Sequence, residues 1–187
     1  MPRIISVLLL MFAALPASAA NLTERMQPCL ACHGEKGQSE NSEIPSLGAQ
    51  PAGYTLIQLY LFREKQRKIE VMNEYAKDLT DDDLRQFSDA IAKLPAPAPE
   101  GTVDAARMQR GYALIEKNHC NVCHQSNLGG RDNVPRLAAQ REDYLLKALR
   151  EYKSNTRVAY EPVMLEPVRP LSDADISDVA YTIAHMK

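Results

Sequence analysis

The chain has 187 residues, 45% of them hydrophobic and 25% charged, with eight glycines, twelve prolines and no tryptophan. That composition is globular and excludes a collagen-like, low-complexity or wholly disordered chain. Lysine and arginine number 22 against 24 aspartate and glutamate, a formal charge of −2, so no basic surplus exists to neutralise a phosphate backbone and nucleic-acid binding is not expected.

Residues 1–20 differ from everything after them. Arg3 gives a positive start, Ile4 to Leu15 is almost unbroken apolar sequence, and Pro16 precedes the small-residue run Ala17-Ser18-Ala19-Ala20. The pattern predicts a secretory signal peptide cleaved after Ala19 or Ala20. A membrane anchor is the weaker reading, because crossing the hydrocarbon core takes about 20 apolar residues and this run is shorter. No later segment could span a bilayer, so the expectation is a soluble periplasmic protein.

In chain order, Cys29-Leu30-Ala31-Cys32-His33 comes first, then Pro45-Ser46-Leu47-Gly48-Ala49-Gln50, followed by Tyr54 to Phe62 with apolar residues at helical spacing. Met72 precedes Leu79-Thr80-Asp81, where Thr80 offers an N-cap hydroxyl with Asp83 three residues on, a capping box with Asp in place of Glu. The stripe Leu84, Phe87, Ile91, Leu94 predicts an amphipathic helix. Leu94 to Gly101 holds three alternating prolines and reads as an extended, semi-stiff spacer. Asp104 to Glu116 is helical in pattern. The order then repeats: Cys120-Asn121-Val122-Cys123-His124 at a shift of 91, Pro135 to Gln140 at a shift of 90, Tyr144 to Tyr152, Met164, and a second box at Ser172 and Asp175 at a shift of 92. The stripe Ile176, Val179, Ala180, Ile183 closes the copy. Matched blocks in one order indicate an internal duplication, with no sustained period-two alternation anywhere. The expected architecture is all-α: 1–20 leader, 21–94 first domain, 95–101 linker, 102–187 second domain. Each half is near the size at which a core alone barely stabilises a fold, so something else is expected to help.

Cys-x-x-Cys-His is the attachment sequence of a c-type haem. Two thiols one helical turn apart can each bond a vinyl group of one porphyrin, and the adjacent imidazole reaches the iron. Competing readings are disulfides Cys29–Cys32 and Cys120–Cys123, thioredoxin-like exchange, or one zinc held by all four cysteines. The disulfide reading does not explain the histidine after each pair, the second wants a βαβ context, and the third makes the halves share one metal. Two covalent haems, through Cys29 and Cys32 and through Cys120 and Cys123, are therefore expected.

With His33 and His124 on iron, the sixth ligand decides between electron transfer and catalysis. Past its motif the first half has one methionine, Met72, and no histidine; the second has Met164, Met186 and His185, of which only Met164 matches Met72 in the repeat. The expected pairs are His33/Met72 and His124/Met164, leaving His119 on the surface and His185 as a polar residue of the last helix.

These motifs resemble the dihaem class I cytochromes c, most closely the cytochrome c4 type, over nearly the whole chain after the leader. The resemblance implies two tandem class I cytochrome c domains, with the carbonyls of Pro45 and Pro135 accepting the axial histidine's Nδ1 proton. It also implies that Gln50, Tyr54, Gln140 and Tyr144 lie near haem edges and the domain interface. Departures are the short stretch before Cys29, too short for the family's long N-terminal helix, and Gln125 where the first motif is followed by Gly34. The second half keeps that helix, with Gly111 at the expected close crossing of the last one.

Residues 21–94 carry 9 basic and 12 acidic side chains and residues 101–187 carry 12 and 11, an asymmetry that is either two solvated surfaces or a way to orient partners differently. The expected function is a non-enzymatic electron carrier between a respiratory complex and a terminal oxidase or reductase, with no catalytic residue. The alternatives are a dihaem oxidoreductase with one open haem, or a cytochrome subunit of a dehydrogenase complex.

Overall fold

A computed structural model describes residues 21–99, 101–157 and 162–187. The expected leader over 1–20 lies outside the described residues. Among those residues the chain is helical without a strand; Arg131 and Val134 form only an isolated bridge closing a turn.

The first half contains α1 (Leu22–His33), α2 (Ala52–Arg63), α3 (Glu70–Ala76) and α4 (Asp81–Ala92). Asn21 starts α1: its Oδ1 accepts from Glu24 N–H at 3.0 Å while its own N–H donates to Glu24 Oε2 at 3.2 Å, a capping box that supplies two of the orphan donors of a helix start with partners. Pro28 removes one ladder bond inside α1 without ending it. The haem motif thus lies at the end of one continuous helix, and the short stretch ahead of Cys29 forms only its first two turns rather than a long separate helix. Met26 and Leu30 on α1 pack with Phe87 and Ile91 of α4, and the Arg25 guanidinium pairs with Asp83 at 2.6 Å.

The second half contains α5 (Ala105–Lys117), α6 (Cys120–His124), α7 (Glu142–Lys153), a 3-10 turn over Pro162–Met164, α8 (Leu165–Val168) and α9 (Asp173–Ala184). Asn118 and His119 separate α5 from α6, with His119 in the left-handed region at φ 57°. Splitting the leading helix from the motif lets all of α5 cross α9. Gly111 sits at that crossing: a Cβ there would press on Thr182 Oγ1 and lie 2.5 Å from the Asp178 carbonyl oxygen. Ile115, Leu128, Leu145, Val179 and Ile183 make a core larger than that of the first half.

Both expected capping boxes form. Asp83 N–H donates to Thr80 Oγ1 at 3.2 Å and Thr80 N–H to Asp83 Oδ2 at 2.9 Å; Ser172 and Asp175 repeat the pair at 3.1 and 2.8 Å. Residues 95–99 form neither helix nor strand, and they do not stand free. Ala98 exchanges hydrogen bonds with the Gln38 side chain at 3.1 and 3.3 Å, which lays the segment along the first half.

Two tests follow from this packing. Gly111→Val should open the α5–α9 crossing and lower stability by about 1–3 kcal/mol, read as a shift of the denaturant midpoint. Bonding from Thr80 N–H, and then Arg25, holds the Asp83 carboxyl below its usual value. A depressed folded value means that its contribution is complete above the ordinary carboxylate range and fades as pH falls through it. Urea stabilities of wild type and Asp83→Asn should therefore differ near neutral pH and converge on acidification.

Candidate functional site

Helical spacing sets Cys29 and Cys32 one turn apart near the end of α1, and Cys120 and Cys123 likewise on α6. All four are free thiols; Cys29 and Cys120 are half-buried, and Cys32 and Cys123 exposed. Burial pushes the Cys29 and Cys120 thiols above their usual value. The two pairs sit in separate halves, so no common zinc tetrahedron is assembled from them.

The following histidines are among the most buried polar groups of the chain, His33 at 6% exposure and His124 at 4%. Nδ1 of His33 donates to the Pro45 carbonyl at 2.8 Å, and Nδ1 of His124 to the Pro135 carbonyl at the same distance. Burial pulls both imidazoles below their usual value, and the carbonyl bond pulls partly back. The result near neutral pH is a neutral ring with its proton on Nδ1, leaving the Nε2 lone pair to bind a metal. Ser39 Oγ and Asn41 Nδ2 donate to the Cys32 carbonyl at 3.2 and 2.8 Å, fastening the end of the helix that carries the ring.

The loop from each motif to its proline is built the same way twice. Leu47 and Gly48 donate to the Gly37 carbonyl at 2.7 and 2.9 Å; Leu137 and Ala138 donate to the Leu128 carbonyl at 2.8 and 3.1 Å. Ala49 N–H reaches the Leu94 carbonyl and Ala139 N–H the Ile183 carbonyl, at 3.1 and 3.0 Å. Each proline segment is thereby tied to the end of its own half's last helix.

Met72 lies in the first turn of α3 and Met164 at the end of the 3-10 turn, both half-buried and both on the stretch before the half's last helix. The two differ locally, one within a helix and one at its entrance. His119 is exposed, while His185 Nδ1 donates to the Tyr181 carbonyl at 2.7 Å and its ring stacks on Tyr181.

Residues 39–54 and 132–147 meet between the halves. Tyr54 N–H donates to the Asp132 carbonyl at 3.0 Å, Arg141 Nη1 to the Ser39 carbonyl at 3.1 Å, and Lys147 pairs with Glu43 at 2.9 Å. The glutamines cross: Gln140 bonds the backbone of Ser46, and Gln50 that of Arg136. Sequence marked these residues by their place in the repeat but not their partners. Tyr144 hydroxyl accepts from Arg157 Nη2 at 3.1 Å and lies 3.5 Å from Arg67 Nη2, while burial pushes the Tyr54 phenol up to about 12. Arg136 Nε is buried with no hydrogen-bond partner among the described residues.

Each half thus offers two thiols and an imidazole with a free nitrogen, and the orphaned Arg136 donor is what an anionic side arm would satisfy. These residues fit a covalently attached haem with carboxylate side arms. A family profile described as cytochrome c matches residues 108–187. The structure of reduced recombinant cytochrome c4 from Pseudomonas stutzeri superposes with a TM-score of 0.80 at 24% identity, covering 89% of this chain and 97% of that one. The fold is that of two tandem class I cytochrome c domains, each carrying one covalently bound haem c. Cytochrome c4 of Thiocapsa roseopersicina is 30% identical over 164 residues, 81% of this chain and 83% of the relative. A thiosulfate dehydrogenase electron acceptor from Thiomonas intermedia is 28% identical over 197 residues, 98% and 91% of the two chains. The chain belongs to the cytochrome c4 family and is a dihaem electron-transfer cytochrome.

Gln125, directly after His124, has φ 71° and ψ 163°, a region essentially reserved for glycine, where another residue carries about 1–3 kcal/mol of strain. Its counterpart Gly34 has φ 87° and ψ 140°. Gln125→Gly should relieve that strain and raise the stability of the second half by about 1 kcal/mol after the chain-entropy cost of glycine, seen as a higher denaturant midpoint.

Proposed function

We propose that this protein is a periplasmic carrier that takes electrons from a redox complex and delivers them to a terminal oxidase or reductase. In this reading the boundaries are 21–94 for the first domain, 95–101 for the linker and 102–187 for the second domain. The first domain attaches its haem through Cys29 and Cys32 and ligates iron with His33 and Met72. The second uses Cys120 and Cys123 with His124 and Met164. The observation that carries this assignment is the pair of buried histidines whose Nδ1 protons are committed to Pro45 and Pro135, leaving Nε2 as the donor in each half.

When bound, haem supplies a one-electron couple between Fe(III) and Fe(II), and a thioether ligand favours the reduced form. The side chains have three tasks. Cysteines would fix the group covalently, the histidine would present one nitrogen in a fixed tautomer, and the methionine thioether would take the iron position that a substrate would need. No acid, base or nucleophile is required of the chain. The likeness to a thiosulfate dehydrogenase electron acceptor supports an enzyme that oxidises sulfur compounds as the donor. Among the described residues no helix is long and apolar enough to cross a membrane, and the apolar sequence of residues 1–20 supports export.

Intact mass of the exported protein should show a chain beginning at Ala20 or Asn21 plus two haems that survive denaturation. Met72→Ala and Met164→Ala should each remove about half of the weak sulfur-to-iron charge-transfer band of the oxidised protein and lower the potential of that haem. A single haem mass, or a band untouched by both substitutions, would overturn the assignment.

A further inference from the structure

Four of the five side-chain hydrogen bonds of Gln50 and Gln140 form a closed, crossed arrangement; in the fifth, Gln140 Oε1 also accepts from Arg141 N–H at 3.0 Å. Gln140, on the second half, accepts from Ser46 N–H through Oε1 at 2.8 Å and donates from Nε2 to the Ser46 carbonyl at 2.9 Å. Gln50, on the first half, accepts from Arg136 N–H at 3.1 Å and donates to the Arg136 carbonyl at 2.8 Å. Ser46 N–H belongs to the same peptide group as the Pro45 carbonyl, and Arg136 N–H to the same group as the Pro135 carbonyl. Those carbonyls take the Nδ1 protons of His33 and His124. Each glutamine therefore grips the opposite half's Pro–X peptide by its N–H while the histidine of that half grips it by its oxygen.

A peptide group is one conjugated unit. When its N–H is donated to a good acceptor, electron density moves toward its oxygen, and successive hydrogen bonds of this kind strengthen one another in a low-dielectric interior. A better acceptor at the proline oxygen draws the Nδ1 proton harder and makes Nε2 a stronger donor to a metal. Burial preserves the effect most fully at Ser46, where Ser46 and Gln140 are both buried; Gln50 is buried too, while its partner Arg136 is half-buried.

We infer that Gln50 and Gln140 are crossed positioning residues, each tuning, through one peptide group, the axial histidine of the other half. The inference rests on the reading that His33 and His124 ligate iron. By it, the basicity of each ligand is set partly by the domain that does not contain it. A contact that only glued the halves together would bond any exposed backbone; these glutamines bond the one peptide in each half that already carries the histidine. The duplication explains the symmetry. Gln50 N–H and Gln140 N–H close the same turn on the Leu47 and Leu137 carbonyls, at 3.1 and 2.9 Å, which leaves both side chains free to cross.

The test is an NMR-monitored redox titration of the full dihaem protein, with the Nδ1 protons of His33 and His124 assigned in the reduced form. Gln140→Leu should move the His33 Nδ1 resonance upfield and raise the potential of the first haem, leaving His124 and the second haem unchanged. Gln50→Leu should do the mirror image. The shift should be smaller than the roughly tenfold change that losing a ligand's direct partner brings, which is under about 59 mV for one electron. Should Gln140→Leu fail to fold, Gln140→Glu keeps an acceptor toward Ser46 N–H, and the His33 resonance should then move downfield. A looser interface that admits water would lower both potentials in both variants. That outcome, a shift in the same half, or no shift at either histidine would overturn the inference. If the unmodified protein shows no iron-bound signature for His33 or His124, the ligand assignment itself falls, before any variant is read.

Discussion

The hydrogen bond from a buried histidine to a proline carbonyl, 2.8 Å long in both halves, is the constraint on which the rest of the molecule depends. An imidazole inside a protein can present either nitrogen, and a ligand that changed tautomer would hold iron in no fixed way. Committing Nδ1 to a carbonyl removes that freedom. The carbonyl must then be immobile, which is why the proline segment is pinned to the motif loop on one side and to the end of the last helix on the other. The helix crossings serve the same end. α1 against α4 and α5 against α9 hold the cysteines and the proline loop at a set separation, and the glycine at the α5–α9 crossing makes the closer approach possible.

The halves solve this problem with unequal material. The second has a separate leading helix, a close crossing and a core that gathers α5, α7 and α9. The first has one helix doing both jobs, with a small core of Met26, Leu30, Phe87 and Ile91 supplemented by Arg25, which pairs with Asp83 and lies over the Phe87 ring. So small a core is a weak source of stability for a domain of this size. The covalent haem and the interface with the second half must contribute the remainder. The four glutamine bonds across that interface, each worth about 0.5–1.5 kcal/mol net, are buried at Ser46 and partly buried at Arg136. The Lys147–Glu43 pair is solvent-exposed and contributes little.

Much of this was legible in the residues because much of it is local. Helical spacing located α2 and α7, hydroxyl-plus-aspartate pairs located the starts of α4 and α9, and the repeated Cys-x-x-Cys-His fixed the chemistry. Gly111 was readable as a crossing point through the family resemblance, and the packing gives the reason: a Cβ there would meet Thr182 and the Asp178 carbonyl. Other features depend on contacts across the chain. The repeat aligned Gln50 with Gln140 but could not say that each faces a backbone 86 or 94 residues away. Local pattern placed Met72 and Met164 before the last helices, yet one lies inside α3 and the other at the entrance of α8. The proline-rich linker read as a spacer because nothing nearby in sequence shows that Gln38 holds it against the first half.

On the proposed His33/Met72 and His124/Met164 ligation both irons are closed, and neither offers a substrate a coordination position. The most direct measurement is the binding of carbon monoxide to the reduced, unmodified protein and of cyanide to the oxidised protein, followed by absorption and electron paramagnetic resonance. The account predicts two low-spin irons that take up neither ligand rapidly. Fast, stoichiometric binding at either haem, or a high-spin signal in the resting protein, would mean that a coordination position is open and would contradict it.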